Sequence, residues 1–269
     1  MQSKSFHIRF IDRWRMQKAV ARFGSAFWVI PLISFLLLWE FSARIGILPP
    51  ENVPALTTVI ETMFKCFMLP NFTFRVLTSF FNLSVGIVSA LFLALPLSLI
   101  TGLRNSVDLT LTPIIMLIGA LPDLALLPLV VMWFGPGNAA AVMMATICAF
   151  FPIYFTVREG AKSIPRDYFH VANIFRAGRL RTTTKVILPA VFPNMVTGLR
   201  LSFDFVWEVI LAIEIIASVT GIGTFIESSV SDGTVEYAFA GILSVGLIAL
   251  TVDRLLFRTL ENKIAKWRE

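Results

Sequence analysis

Residues 158–193 read REGAKSIPRDYFHVANIFRAGRLRTTTKVILPAVFP, the longest polar interval between two strongly apolar segments. This stretch holds seven Lys or Arg residues against two acids, Glu159 and Asp167. So many charges cannot lie in hydrocarbon, and short loops rich in Lys and Arg stay on the cytoplasmic side of a membrane. If its flanking segments span a membrane, the stretch is therefore a cytoplasmic loop.

The composition around this loop is that of an integral membrane protein. Of the 269 residues, 57% are hydrophobic, and the mean hydropathy is +0.79, more than a soluble core requires. The net charge of +6 collects between the apolar segments, where membrane orientation explains it better than binding to nucleic acid. Cys66 and Cys148 lie in unlike settings, which predicts neither a disulfide framework nor a metal site. We expect no cofactor.

Six segments are apolar over about 20 residues, the length that crosses the hydrocarbon core. They are residues 26–45, 77–103, 109–133, 139–157, 195–217 and 238–257. The intervals alternate in charge, because the amino-terminal arm, the turn with Arg104, the long loop and the tail are basic, whereas the others are mixed, uncharged or acidic. This pattern predicts an all-α polytopic bundle of six transmembrane helices with both termini in the cytoplasm.

The same pattern sets the domain organisation. We expect a basic amphipathic arm over 1–25, a six-span domain over 26–257 with a cytoplasmic loop at 158–194, and a cytoplasmic tail over 258–269. An equally consistent interpretation of the arm is a disordered tail that only sets orientation. No cleavage site follows the first apolar run, so it is expected to stay in the membrane.

Prolines and glycines recur within the apolar segments, as in moving transporters whose helices are broken. The third segment, with Leu121-Pro122-Asp123 and a further Pro128, is the best candidate for a broken or re-entrant helix. The alternative is that these residues are packing kinks without a gating role.

The long loop resembles the cytoplasmic loop of permease subunits of binding-protein-dependent ABC importers. In that family Glu-Ala-Ala is followed by a glycine and, further on, by Leu-Pro. With Leu188-Pro189 as the anchor, the triplet falls on His170-Val171-Ala172 and the glycine on Arg176, while Gly178 lies two residues later. The match is partial, because the glutamate is replaced by His170 and the glycine by Arg176.

Other stretches are similar to the nitrate, sulfonate, taurine and thiamine-precursor branch of these permeases. They are Leu38-Trp39-Glu40, Gly46-Ile47-Leu48-Pro49-Pro50, Leu121-Pro122, Leu126-Leu127-Pro128-Leu129, Trp133-Phe134-Gly135, Phe150-Phe151-Pro152-Ile153 and Gly221-Ile222-Gly223. Because they occur in order along the chain, the resemblance covers nearly the whole sequence from about residue 30.

The resemblance implies the type I ABC importer permease fold, in a homodimer or pseudo-dimer joined to two cytoplasmic ATPases and fed by an extracytoplasmic binding protein. The sequence has no Gly-x4-Gly-Lys-Ser/Thr phosphate loop, which agrees with a separate motor. A short amphipathic helix around 168–177 would press into a groove of the ATPase. The residues implied in this coupling are Phe169, His170, Ala172, Phe175, Arg176, Gly178, Leu188 and Pro189. The alternative is a merely solvated basic loop.

Four acids lie within the predicted spans, namely Asp123, Asp204, Glu208 and Glu214. Asp204 and Glu208 are four residues apart and so share a helix face. Because ionisable residues in a membrane are costly, they indicate function. We expect them to line a translocation path that favours a cationic or neutral polar cargo of pyrimidine or amine type over nitrate or sulfonate. The other interpretation is that they bond to nearby hydroxyls or to backbone opened by Pro122.

Three other classes compete with an importer permease. An intramembrane enzyme would need a catalytic set, but the only histidines, His7 and His170, fall outside the spans and no His-Glu-x-x-His occurs. A channel would need rings of charge supplied by oligomerisation. An exporter on the same architecture is disfavoured, because the recognised loop belongs to importers.

Overall fold

The computed structural model describes residues 30–49 and 51–265, and every regular element in them is a helix. The predicted arm over 1–25 lies outside the described residues. The described chain divides into two compact units, one ending at Thr62 and the other beginning at Met63.

The first unit contains helix α1, which runs through residues 30–44 at the first predicted span. Helix α2 (Leu56–Met68) begins in this unit. Glu40 binds the loop between the two helices, because its carboxylate accepts hydrogen bonds from Arg44, from the Thr57 backbone N–H at 3.1 Å and from the Thr57 hydroxyl at 2.9 Å. The Trp39 indole also donates to the carbonyl of Pro54 at 3.1 Å.

The second unit is a succession of helices joined by short turns. They are α3 (Pro70–Leu103), α4 (Asn105–Gly119), α5 (Asp123–Phe134), α6 (Asn138–Lys162), α7 (Arg166–Ile174), α8 (Arg179–Thr182), α9 (Leu188–Ile216), α10 (Ile222–Ser231), α11 (Val235–Val252) and α12 (Arg258–Ala265). Two π-helical segments, Thr183–Ile187 and Asp253–Phe257, connect α8 to α9 and α11 to α12.

Helices occur at all six predicted spans. By length and apolarity, α3, α6 and the continuous helix Val235–Ile264 can each cross a membrane, and the bent pair α4–α5 makes a fourth candidate. Helix α9 has 29 residues, enough to cross, and contains the charged residues Arg200, Asp204, Glu208 and Glu214. The predicted all-α architecture is thus confirmed.

The core of the second unit lies where α6 packs between α3 and α9. Small residues such as Ala90 on α3 and Ala145 on α6 are completely buried there, and small side chains let helix backbones approach closely in membrane bundles. A side chain at Gly86 would overlap Ala145, and one at Gly198 would overlap Thr156. These two glycines therefore set how closely α6 meets its neighbours.

The third span is broken, as predicted. Helix α4 ends at Gly119, α5 begins at Asp123, and the two axes differ by 89°. Pro122, with extended backbone at the start of α5, has no N–H to continue the helical bonding. At the break a side chain on Gly119 would come within 2.8 Å of Phe151, so α6 is close against the bend.

Candidate translocation cleft and coupling helix

Helix α9 exposes an acidic face. Asp204 and Glu208 both lie on the exposed side, together with Leu201 and Phe205. The opposite side carries large apolar residues such as Trp207, which packs into the core. Helix α9 therefore presents two carboxylates on a face that the described part of the chain leaves uncovered.

A cleft of about 320 Å³ lies beside this face. Asp123, the first residue of α5, lines it together with Cys148 and Phe151 of α6. Leu201 and Phe205, the neighbours of Asp204, form its α9 wall. The structure thus brings Asp123 close to the acidic face of α9, which the sequence spacing alone did not establish.

Glu214 lies apart from these three acids. It is fully buried near the end of α9, where one carboxylate oxygen accepts the backbone N–H of Gly223 at 2.8 Å. A side chain at Gly221 would overlap the Glu214 carboxylate, so the glycine makes room for the acid. The geometry fits a residue that fastens the α9–α10 turn, rather than one that lines a path.

The α9–α10 turn is also fastened to α3. The backbone N–H of Ile222 donates to the Ser79 hydroxyl at 3.0 Å, and the Arg75 guanidinium donates to the Thr224 hydroxyl at 3.1 Å. The turn is therefore held by polar side chains from two helices.

A buried ion network joins α4 to the end of α6, and sequence reasoning missed it. Asp108 is buried and pairs with both Arg158 and Lys162. Thr112, one turn further along α4, donates to Asp108 at 2.6 Å and lies 2.9 Å from the Tyr154 hydroxyl. The sequence does hint at this network, because Asp108 and Thr112 are four residues apart and so share one face of α4.

A second network joins α9 to the carboxy-terminal helix. Arg200 pairs with Asp253 at 2.7 Å and with Glu261 at 2.9 Å. One basic residue of the fifth span is thereby neutralised by acids on the π segment and on α12.

The helix predicted around residues 168–177 corresponds to α7. It covers Arg166–Ile174, so it begins two residues before the predicted 168–177 segment and ends three residues earlier. Ala172 is buried and Phe169 is half-buried against the main core. Phe169 therefore packs α7 against its own subunit, and Ala172 lies on a buried side of the helix.

Several large apolar residues of α7 and of the residue that follows it are exposed. Ile174 and Phe175 are 78% and 77% exposed, and Tyr168 and Val171 are exposed beside them. His170 is exposed as well. Of the predicted coupling residues, Phe175 and His170 are thus exposed, Phe169 is half-buried and Ala172 is buried.

Arg176 has a left-handed backbone with φ of 47°. Its N–H donates to the carbonyl of Asn173, and the N–H of Ala177 donates to that of Ala172, both at 2.9 Å. This pair of bonds is a Schellman cap, in which glycine is usual at the left-handed position. The family's glycine therefore aligns with a position whose backbone favours glycine, and Arg176 occupies it at a steric cost.

The remaining predicted coupling residues lie after this cap. Gly178 precedes α8 and has an open environment in which an added side chain would meet no atom within 4 Å. Leu188 and Pro189 open α9. Within the described residues, no group of three or more His, Cys, Asp or Glu side chains could hold a metal ion.

A multi-helix membrane bundle with a broken span, an acidic cleft and a short amphipathic helix in a basic loop defines a transport subunit. The chain belongs to the family of binding-protein-dependent transport system inner membrane components, whose sequence profile matches residues 86–265. It is therefore a multi-pass inner-membrane permease of an ABC importer, a transport subunit that works with ATPase and substrate-binding partners.

Relatives place it within that family. The putative aliphatic sulfonates transport permease protein SsuC of Bacillus subtilis (strain 168) is 26% identical over 233 residues, 87% of this chain and 84% of SsuC. The taurine transport system permease protein TauC of Escherichia coli (strain K12) is 27% identical, covering 88% and 87%. The nitrate import permease protein NrtB of Leptolyngbya laminosa is 30% identical over 68% of this chain and 65% of NrtB. The predicted branch is confirmed.

A solved structure shares the fold. A chain of the MetNI methionine ABC transporter, in an inward-facing conformation, has a TM-score of 0.63 with 15% identity, covering 73% of this chain and 97% of that chain. The likeness confirms the predicted fold of a type I ABC importer permease.

Proposed function

We propose that this permease forms the translocation path for a small polar nutrient that is cationic or neutral, such as a pyrimidine or an amine. An extracytoplasmic binding protein delivers the nutrient, and separate ATPases drive its transport through the 158–194 loop. The observation that carries the proposal is the exposed face of α9 with Asp204 and Glu208, beside the cleft that Asp123 lines.

The position of these acids restricts what can cover them. A carboxylate at membrane depth is unfavourable against lipid, and such residues face a bundle interior or a water-filled cavity. The exposed face of α9 is therefore covered by protein or water. We propose a second copy of the chain, giving a homodimer in which two acidic faces border one aqueous path.

The sign of the charge favours one class of cargo. Carboxylates that line a path attract cations and repel anions. Arg200, the basic residue within α9, is already paired with two acids. We therefore expect the cleft to admit cationic or neutral solutes more readily than anions.

A second candidate is the import of an anion. It is favoured by the relatives, which are named for aliphatic sulfonates, taurine and nitrate. In that case the acids would have to be protonated or paired within the assembled dimer.

Measurements of ATP hydrolysis and of transport can separate the two candidate cargo classes. The complete transporter, with its ATPase and binding protein, would be tested for ligand-stimulated ATP hydrolysis with nitrate, taurine, ethanesulfonate and an aminopyrimidine. We expect stimulation by the aminopyrimidine, and a several-fold loss of its transport in Asp204→Asn and Glu208→Gln variants. Stimulation by an anion, with unchanged transport in both variants, would instead support the second candidate.

We further propose that α7 is the contact with the ATPase, through its exposed face. Ile174 and Phe175 supply an apolar surface that can enter a groove of the partner, a helix-in-groove contact. Ala172, which is buried, would act by holding α7 in place and would not itself touch the ATPase.

Two variants distinguish a residue that contacts the ATPase directly from one that only holds α7 in place. Phe175→Ala should reduce substrate-stimulated ATP hydrolysis while the isolated permease keeps its thermal stability. Ala172→Trp should reduce both, because a bulky side chain does not fit at this buried position without displacing its surroundings. Full transport activity in Phe175→Ala would count against the docking role.

The proposed topology puts both termini and the basic loop in the cytoplasm. The arm over 1–25 and the tail over 258–269 flank the six-span domain over 26–257. Cysteine labelling of the tail in right-side-out and inverted membranes tests this orientation, which requires reaction with an impermeant reagent in inverted membranes alone.

A further inference from the structure

An apolar groove of about 290 Å³ lies between the end of α3 and the π segment before α9. It belongs to neither the cleft nor the coupling helix. Its lining residues are Pro96, Leu99, Ile100, Leu103, Arg104, Thr183 and Ile187. Arg104 and Thr183 are the two polar members of this lining.

The groove continues an apolar stripe on the outside of α3. The stripe consists of exposed residues at helical spacing, namely Phe81, Val88, Phe92, Pro96, Ile100 and Leu103. On a membrane-spanning helix, a stripe of large exposed apolar side chains is typical of a surface in contact with lipid. The groove is therefore open to the hydrocarbon along α3.

One basic residue lines the groove and three more lie close to it along the chain. Arg104 lines the groove directly. Arg179, Arg181 and Lys185 all lie within four residues of Thr183 along the chain and are exposed. No acid occurs in residues 168–203 or 97–107. In the part of the chain that the structure describes, none of these four basic residues forms an ion pair.

We propose that this groove binds an anionic phospholipid, with an acyl chain against α3 and the phosphate held by Arg104 and the basic segment. Arginine suits a phosphate because its guanidinium donates two parallel hydrogen bonds. Basic sites between transmembrane helices at the cytoplasmic side are a recurring way to bind acidic lipid headgroups.

The shape and chemistry of the groove disfavour other occupants. A peptide would bring backbone N–H and C=O groups that need partners, and the lining offers them only Arg104 and Thr183. A zwitterionic lipid would fill the groove equally well but would leave the basic residues without a matching charge.

The test is lipid binding by the complete transporter, measured by native mass spectrometry with palmitoyl-oleoyl phosphatidylglycerol and the matching phosphatidylcholine. We expect preferential retention of phosphatidylglycerol, and about fivefold weaker binding of it by Arg104→Gln, the effect of one basic side chain near an acidic membrane. Arg166→Gln, which removes a charge outside the groove, is the control and should bind as the wild type does.

A second variant tests the apolar part of the groove, where the acyl chain would lie. Leu99→Trp should fill the groove and reduce retention of both lipids. Equal binding of the two lipids by the wild type, or equal losses in Arg104→Gln and Arg166→Gln, would overturn the proposal.

Photo-crosslinking from a benzoylphenylalanine at Ile100 identifies the occupant in the assembled transporter. Lipid adducts are expected. Adducts to a second permease copy or to the ATPase would show that protein covers the groove, and would overturn the proposal.

Discussion

At the scale of single residues, the two positions that depart from the family loop have different structural meanings. His170 lies exposed on α7, where a change of side chain disturbs no packing. Arg176 has a left-handed backbone, which sequence reasoning could not detect beyond noting that a glycine was expected. The motif places its glycine at the residue that ends α7, and the left-handed backbone explains why a glycine suits that position.

Replacing Arg176 by glycine should stabilise the end of α7. The left-handed conformation costs a non-glycine residue about 1 kcal/mol, so Arg176→Gly should raise the free energy of unfolding by about that amount. The measurement is thermal unfolding of the purified permease. Arg166→Gly, at the helical start of α7, is the control and should be neutral or destabilising; stabilisation by both variants would contradict the assignment.

A second feature of single residues is the space that Gly221 leaves for the Glu214 carboxylate. Gly221→Ala should destabilise the permease strongly, because the added carbon overlaps the buried carboxylate. We expect a loss of about 2 kcal/mol or more, in the range of overpacked cores. Gly246→Ala is matched to it, since no atom lies within 4 Å of its added carbon, and it should be neutral or slightly stabilising. Equal stability of the two variants would exclude the clash.

At the scale of elements, the bent pair α4–α5 was predictable and its attachment to α6 was not. The proline and glycine content of the third span indicated a break, because these residues cannot continue a regular helix. Arg158, one of the two partners of Asp108, lies 50 residues away on α6. Charge patterning assigned Arg158 only to a cytoplasmic loop, since an ion pair between helices depends on how the helices pack.

Breaking this ion network should loosen α4 from α6. Asp108→Asn leaves Arg158, whose side chain is 12% exposed, and Lys162 without their buried partner. Loss of one member of a buried pair costs about 3–5 kcal/mol, so we expect a large fall in thermal stability. Glu159→Gln removes a 65% exposed partner of the same arginine and should cost about 1 kcal/mol or less. Similar losses in both variants would argue against the network.

At the scale of the whole molecule, hydropathy and loop charges predicted the number and kind of spans. They could not predict which face of α9 remains open, because helical spacing puts Asp204 and Glu208 on one face without showing what covers it. In the structure, the described helices leave this face uncovered, and Asp123 lines a neighbouring cleft. It also separates Glu214, which lay in the same span of sequence, from the other acids.

The central claim is that this open face of α9 borders water within the membrane. The direct measurement is the reaction of an introduced cysteine with a charged, water-soluble thiol reagent, in membranes that hold the complete transporter and with Cys66 and Cys148 replaced by serine. Phe205→Cys tests the cleft, and Phe92→Cys, at a position 76% exposed on the outside of α3, is the lipid-facing control. We expect rapid modification at residue 205 and little at residue 92; equal, slow modification at both positions would contradict an aqueous path along α9.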